Sequence, residues 1–83
     1  MTDVLLSETA RDRLADLEAD VRERIKDALR EINPDRDLSR LSGEDVYKCR
    51  VGDYRVIADW DRQEDTVYVL TVGHRSTVYD RGW

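Results

Sequence analysis

The chain has 83 residues, 14 of them Lys or Arg and 19 Asp or Glu, for a net charge of −5. That length suits one modest core, so a single domain spanning 1–83 is expected and a second core is excluded. Apolar and charged residues each make up 40%. No apolar run is long enough to cross a membrane, the amino terminus lacks a signal-peptide pattern, and a lone cysteine rules out an intrachain disulfide; a cytoplasmic protein is expected.

In chain order, DVLL (3–6) reads as a short first strand. Ser7 is a good N-cap for a helix starting at Glu8, with Ala10, Leu14 and Leu17 at helical spacing. Asp20 followed by Glu23 resembles a capping box, so a second helix is expected from Val21, with an apolar stripe of Val21, Ile25, Ala28, Leu29 and Ile32. Its charged outer face reads as a solvated helix surface. Residues 33–45, with Pro34 and Gly43, form a polar connector, and strand-like runs follow at 46–51, 54–60 and 66–73. The expected class is α+β: a short N-terminal strand, a helical hairpin, then an antiparallel β-meander with helices on one face of the sheet.

The negative net charge argues against a nucleic-acid partner until its distribution is considered. Residues 1–45 carry 8 basic and 13 acidic side chains, giving −5, whereas residues 46–83 carry 6 of each. The bases are 12 Arg against 2 Lys, and 13 of the 19 acids are Asp. That skew fits a halophilic, high-salt cytoplasm, and it equally fits a GC-rich genome. On either account the overall charge is a poor guide to the partner.

The segment YKCRVGDYRVIADW (47–60) reads as two strands joined by a Gly52-Asp53 turn of type II′. This register pairs Val51 with Tyr54 and sets Arg50 opposite Arg55, with Lys48 on the same face. Like charges opposite each other destabilise a hairpin. If the next hairpin is regular, Trp60 pairs with Thr66, so Tyr68, Leu70 and Val72 join the core face. Val67, Val69, Thr71, Gly73 and Arg75 then take the other face, followed by Thr77 and Tyr79 if the chain stays extended. Lys48, Arg50, Arg55, Arg75 and Tyr79 thereby converge on one surface. Each base on its own reads as a solvated sheet residue, or as a partner of Asp53 or Asp59. Together they call for an anion, and a phosphodiester fits the guanidinium fork.

The segments YKCRVGDYRV and VGHRSTVY, set within a strand, helical hairpin and meander that span nearly the whole chain, resemble the RelE/ParE toxin superfamily of prokaryotic toxin–antitoxin pairs. The resemblance implies a RelE-like sheet related to that of small microbial ribonucleases. RelE-type members cut messenger RNA in the ribosomal A site without a metal. By resemblance Lys48 and Arg50 match the basic pair of the first meander strand, Arg55 the arginine after the turn, and Arg75 the arginine of the last strand's end. Tyr79 matches the tyrosine near the carboxyl terminus, across a shorter gap than in some relatives. These five are the expected catalytic residues.

The implied reaction is attack of a ribose 2′-hydroxyl on the adjacent phosphate, with Arg55 and Arg75 stabilising charge at phosphorus. Lys48 and Tyr79 are available for proton transfer, and arginine is not a base at ordinary pH. Acid and base are not assigned individually. Arg40 and His74 are added as candidate substrate-binding residues. Some related toxins use a histidine near His74, although alternation points this one toward the helices. Cys49 falls on the core face and reads as a packing residue. One His and one Cys make no metal constellation, and neither metal nor cofactor is expected. The implied partners are a cognate antitoxin, the ribosome and mRNA, with no membrane partner. The competing readings are a ParE-like protein that poisons DNA gyrase and a degenerate member that binds its antitoxin without toxicity.

Overall fold

The computed structural model describes residues 2–41 and 45–78. Among them the elements run β1 (Asp3–Leu6), α1 (Glu8–Ala15), α2 (Ala19–Arg30), α3 (Pro34–Asp37), β2 (Leu38–Arg40), β3 (Tyr47–Val51), β4 (Tyr54–Asp61) and β5 (Thr66–His74). The strands form one sheet in the order β1-β5-β4-β3-β2, with β1 parallel to β5 and the remaining neighbours antiparallel. This is the expected α+β architecture. The helices pack on one face: Ala10 and Leu14 of α1 and Ile25 and Leu29 of α2 meet Cys49, Val56, Ala58, Val67, Val69 and Val72. Each fully buried Leu, Ile or Val of that set contributes on the order of 1.5–3 kcal/mol.

Ser7 starts α1 as expected, its Oγ accepting from the Ala10 N–H at 3.0 Å. The second helix differs. It begins at Ala19 behind Glu18, which makes no side-chain cap, and Asp20 lies inside the first turn, where an acid still complements the helix dipole. The first helix ends at Ala15, short of Leu17. The turn between them is closed by Arg22 Nη1, which donates to the Leu17 carbonyl at 3.2 Å.

The connector is more ordered than its composition implies. Pro34 takes the first position of the single turn α3, where its missing N–H costs nothing. The Asp37 carboxylate then accepts from the Asn33 N–H at 2.9 Å. Leu38 turns inward as Cys49's partner and the chain becomes the edge strand β2.

The register of β5 corrects the expected one. Trp60 pairs with Val67, not Thr66, and a bulge intervenes: Ala58 lies opposite Val69 while Ile57 lies opposite Thr71, leaving Leu70 as the extra residue. Val67 and Val69 therefore face the helices and are fully buried, whereas Tyr68 is exposed on the other side. Beyond the bulge the facing reverses, so Val72 also faces the helices, while Thr71 and Gly73 lie on the opposite face of the sheet as expected, Thr71 buried there beside Ile57. The bulge is held by Ser7, whose N–H donates to Val69 and whose hydroxyl donates to the Leu70 carbonyl at 2.8 Å.

The carboxyl-terminal segment does not stay extended either. After His74 the chain turns, with the N–H groups of Thr77 and Val78 both donating to the His74 carbonyl. Val78 is buried against Gly73, where an added Cβ would lie 3.3 Å from Val78 Cβ. Gly73 is thus the position that lets this turn close. No helix among the described residues is long and apolar enough to cross a membrane.

Candidate anion-binding cleft

The Gly52-Asp53 turn sets the register that builds the site. Gly52 has φ +58° and Asp53 has no positive φ, the pattern of a II′ turn. Arg50 is directly opposite Arg55 and Lys48 is opposite Ile57, as the sequence pairing gave. Lys48, Arg50 and Arg55 line one cleft of about 300 Å³ together with Asp37 and Ser39.

The charges of this cleft are poorly compensated. Arg55 is only 9% exposed, yet no carboxylate pairs with it among the described residues. Its Nη1 donates instead to the carbonyls of Gly52 and Tyr54, each at 2.8 Å. Burying a cation without a counter-ion is costly. The side chains of Lys48 and Arg50 likewise make no hydrogen bond or ion pair among the described residues. Neither Asp53 nor Asp59 serves as their partner; the Asp59 carboxylate accepts from the Trp60 N–H instead. The one acid of the cleft, Asp37, is committed elsewhere: Arg36 Nε and Nη2 donate to its two oxygens at 2.8 and 3.1 Å. Those bonds, followed by the Asn33 N–H, hold its carboxyl below the ordinary value, and Asp37 in turn raises Arg36.

Arg75 lies outside the lining of that cleft. It is exposed and fastened to the same turn, its N–H donating to the Asp53 carbonyl at 2.8 Å. Tyr79 lies outside the described residues. His74 and Arg40 do not join the cationic face. His74 is opposite Tyr54 in the ladder and meets its ring edge-on at 5.4 Å, while its Nδ1 accepts from the Ser76 N–H at 3.2 Å. Arg40 pairs with Tyr47, one residue out of phase with Lys48, and its Nη2 bonds Asp45 at 2.8 Å. Cys49 is buried, and burial foremost, then the charge of Asp37, pushes its thiol up. Sequence reasoning missed Asp37 and Ser39. The available signal was Pro34, which opens the single turn α3 ahead of the edge strand.

A cleft of this kind, with two unpaired cations and a nearly buried third, attracts an anion and matches phosphate oxygens. The model of the ParE toxin of type II toxin–antitoxin systems matches residues 4–79. The chain belongs to this family, within the RelE/ParE superfamily. The toxin has similar folds among solved structures. Isolated Escherichia coli RelE toxin is 28% identical with a TM-score of 0.73, covering 95% of this chain and 92% of that one. The RelBE2 toxin–antitoxin complex of Mycobacterium tuberculosis is 25% identical with a TM-score of 0.77, covering 90% and 92%. The RelB–RelE complex of Methanococcus jannaschii is 25% identical with a TM-score of 0.69, covering 92% and 95%. No curated protein matches the sequence.

Proposed function

We propose that this toxin is a metal-independent, ribosome-dependent endoribonuclease that cuts mRNA in the A site. The observation that carries the reading is Arg55, nearly buried without a carboxylate partner, in one cleft with the unpaired Lys48 and Arg50. A phosphodiester there supplies the missing counter-charge. Attack by the 2′-hydroxyl places extra negative charge on the phosphoryl oxygens, and fixed guanidinium groups stabilise that charge more than they stabilise the ground state. Arg75, tethered beside the turn, and Tyr79 complete the proposed catalytic set. Arg40 and His74 are held on the helix-facing side and fit contacts to the ribosome or to flanking RNA better than contacts to the scissile phosphate. The proposed setting is the cytoplasm.

The proposed regulator is a cognate antitoxin, a reading supported by the similar toxins of Mycobacterium tuberculosis and Methanococcus jannaschii, each solved in complex with its antitoxin. A groove of about 440 Å³ runs beside the outer strand β1, floored by Val4, Leu6, Leu14 and Leu29, with Lys26 and Arg30 at its rim. An amphipathic antitoxin segment with acidic flanks suits that apolar floor and basic rim.

Primer extension on a defined mRNA with programmed ribosomes tests the nuclease reading. Cleavage confined to the A site, lost in Lys48→Ala and Arg50→Ala, is the expected result. A wild-type protein that leaves the mRNA intact on active ribosomes overturns it. The ParE name of the matching family favours DNA gyrase as the alternative target, so gyrase supercoiling is the assay to follow.

A further inference from the structure

Ser39 is the middle residue of the three-residue strand β2, the last strand on its side of the sheet. The outer edge of that strand is unpaired among the described residues, and the Ser39 side chain is exposed. In the ladder Ser39 stands directly opposite Lys48. Residues so opposed hold their Cβ atoms about 4.5–5.5 Å apart, and the diagonal neighbour two places along lies about 7–8 Å away. Here that diagonal neighbour is Arg50, and Ser39 lines the cationic cleft together with Lys48, Arg50 and Arg55. Its hydroxyl makes no hydrogen bond among the described residues.

A neutral hydroxyl leaves the charge of the cleft unanswered. Its three cations stand against Asp37 alone, a balance of +2, and Asp37 is already bonded to Arg36. A phosphate esterified to serine carries about −1.5 to −2 charges at pH 7 and three strong acceptor oxygens. On Ser39 it would bring the cleft close to neutrality. Lys48 across the ladder and Arg50 on the diagonal both have their donors free for it. Ser39 also lines a neighbouring cleft, but there Glu31 and Asp37 offset Arg36 and Arg50, a balance of zero. The excess of positive charge therefore draws a phosphate on this residue toward Lys48, Arg50 and Arg55. A strand this short, paired along one edge, also opens locally at little cost, which exposes the hydroxyl to a modifying enzyme.

We propose that Ser39 is a phosphorylation site and that its phosphate occupies the cationic cleft and switches the toxin off. The donor is a nucleoside triphosphate, brought by a separate kinase. Ser39 Oγ attacks the γ-phosphorus and forms the new O–P bond as the bond to the β–γ bridging oxygen breaks. The nucleoside diphosphate leaves, and the hydroxyl proton passes to the base of the kinase. The phosphate then holds the place and the counter-charge role of the substrate phosphodiester. The placement of the phosphate stands on the charge of the cleft; the inhibition rests on the ribonuclease reading above.

The test uses the full chain with phosphoserine installed at position 39 during translation. At low salt the phosphorylated protein should melt higher than the unmodified chain by roughly 4–8 °C. High salt should shrink that gain, and phosphorylation of a Lys48→Ala chain should give a smaller one. On programmed ribosomes, cleavage by the phosphorylated toxin should fall by roughly a hundredfold or more. Mass spectrometry of the toxin recovered from its own cells, growing and starved, should find phosphate on Ser39 in one of the two states. A phosphorylated chain that melts no higher than the unmodified one overturns the inference, as does one that cuts as fast, or a toxin unmodified at Ser39 in both states; each leaves the nuclease reading standing. An unmodified toxin that cuts no mRNA overturns the nuclease reading and with it the inhibition, while the melting comparison and the mass spectra still decide the phosphate site.

Discussion

The backbone N–H of Arg75 donates to the carbonyl of Asp53 at 2.8 Å, which ties the end of β5 to the turn between β3 and β4. The neighbouring carbonyl, that of Gly52, accepts from Arg55 Nη1. One tight turn therefore holds both arginines. Its geometry depends on Gly52 at φ +58°, a left-handed conformation that costs other residues about 1–2 kcal/mol. Gly52→Ala should destabilise the protein by about that amount in urea unfolding. Cleavage should fall further than stability explains, because the carbonyl holding Arg55 moves. Unchanged cleavage by the folded variant would show that the turn does not position the arginine.

Arg50 separates function from folding. It is exposed, opposite a like charge, and without an ion-pair partner among the described residues. Arg50→Gln should leave stability within about 0.5 kcal/mol of wild type, as for surface sites without special contacts. Ribosomal cleavage should drop by tenfold or more. A clear loss of stability with cleavage intact would make Arg50 a structural residue and remove it from the site.

What the sequence disclosed about this site follows how local each feature is. The facing of Lys48, Arg50 and Arg55 was legible because a two-residue turn fixes the register of both strands. The face of Val67 and Val69 was not, because the bulge at Leu70 depends on Ser7, 63 positions away. The expected placement of Thr71 and Gly73 on the face opposite the helices agrees with the fold only because the bulge falls before them. Asp37 and Ser39 were hidden in a stretch too short and polar to show periodicity, and a three-residue edge strand gives no alternation signal of its own.

Ser7 is thus a joint between local and distant structure. Its Oγ accepts from Ala10 to start α1 and donates to Leu70 to satisfy the carbonyl of the bulge. Removal of an N-cap and of one further hydrogen bond each cost about 1 kcal/mol. Ser7→Ala should lose about 2 kcal/mol, which for a domain of this size lowers Tm by roughly 8–16 °C. Ser7→Thr keeps both roles and should recover most of that loss. A Tm for Ser7→Ala within a degree or two of wild type would mean that water replaces the hydroxyl at the bulge.

Asp37 gives the fold an acid-sensitive element beside the cleft. Its carboxyl is lowered from 3.8 by the hydrogen bonds from Arg36 and the Asn33 N–H. The folded state therefore binds this proton less readily than the unfolded chain. The associated stabilisation is fully present above the unfolded value and is lost as pH falls through the folded one. Asp37→Asn removes the charge while retaining an oxygen for Asn33. Wild type should be the more stable in urea unfolding at pH 7 and pH 5, and the gap should narrow as pH falls from about 3.8, where the unfolded chain gains this proton, through the lower value of the folded carboxyl. Added salt should narrow the gap at pH 7 as well, since Arg36 is largely exposed and its ion pair is screened. A gap that stays constant from pH 7 to pH 3 would assign the effect to side-chain shape instead of charge.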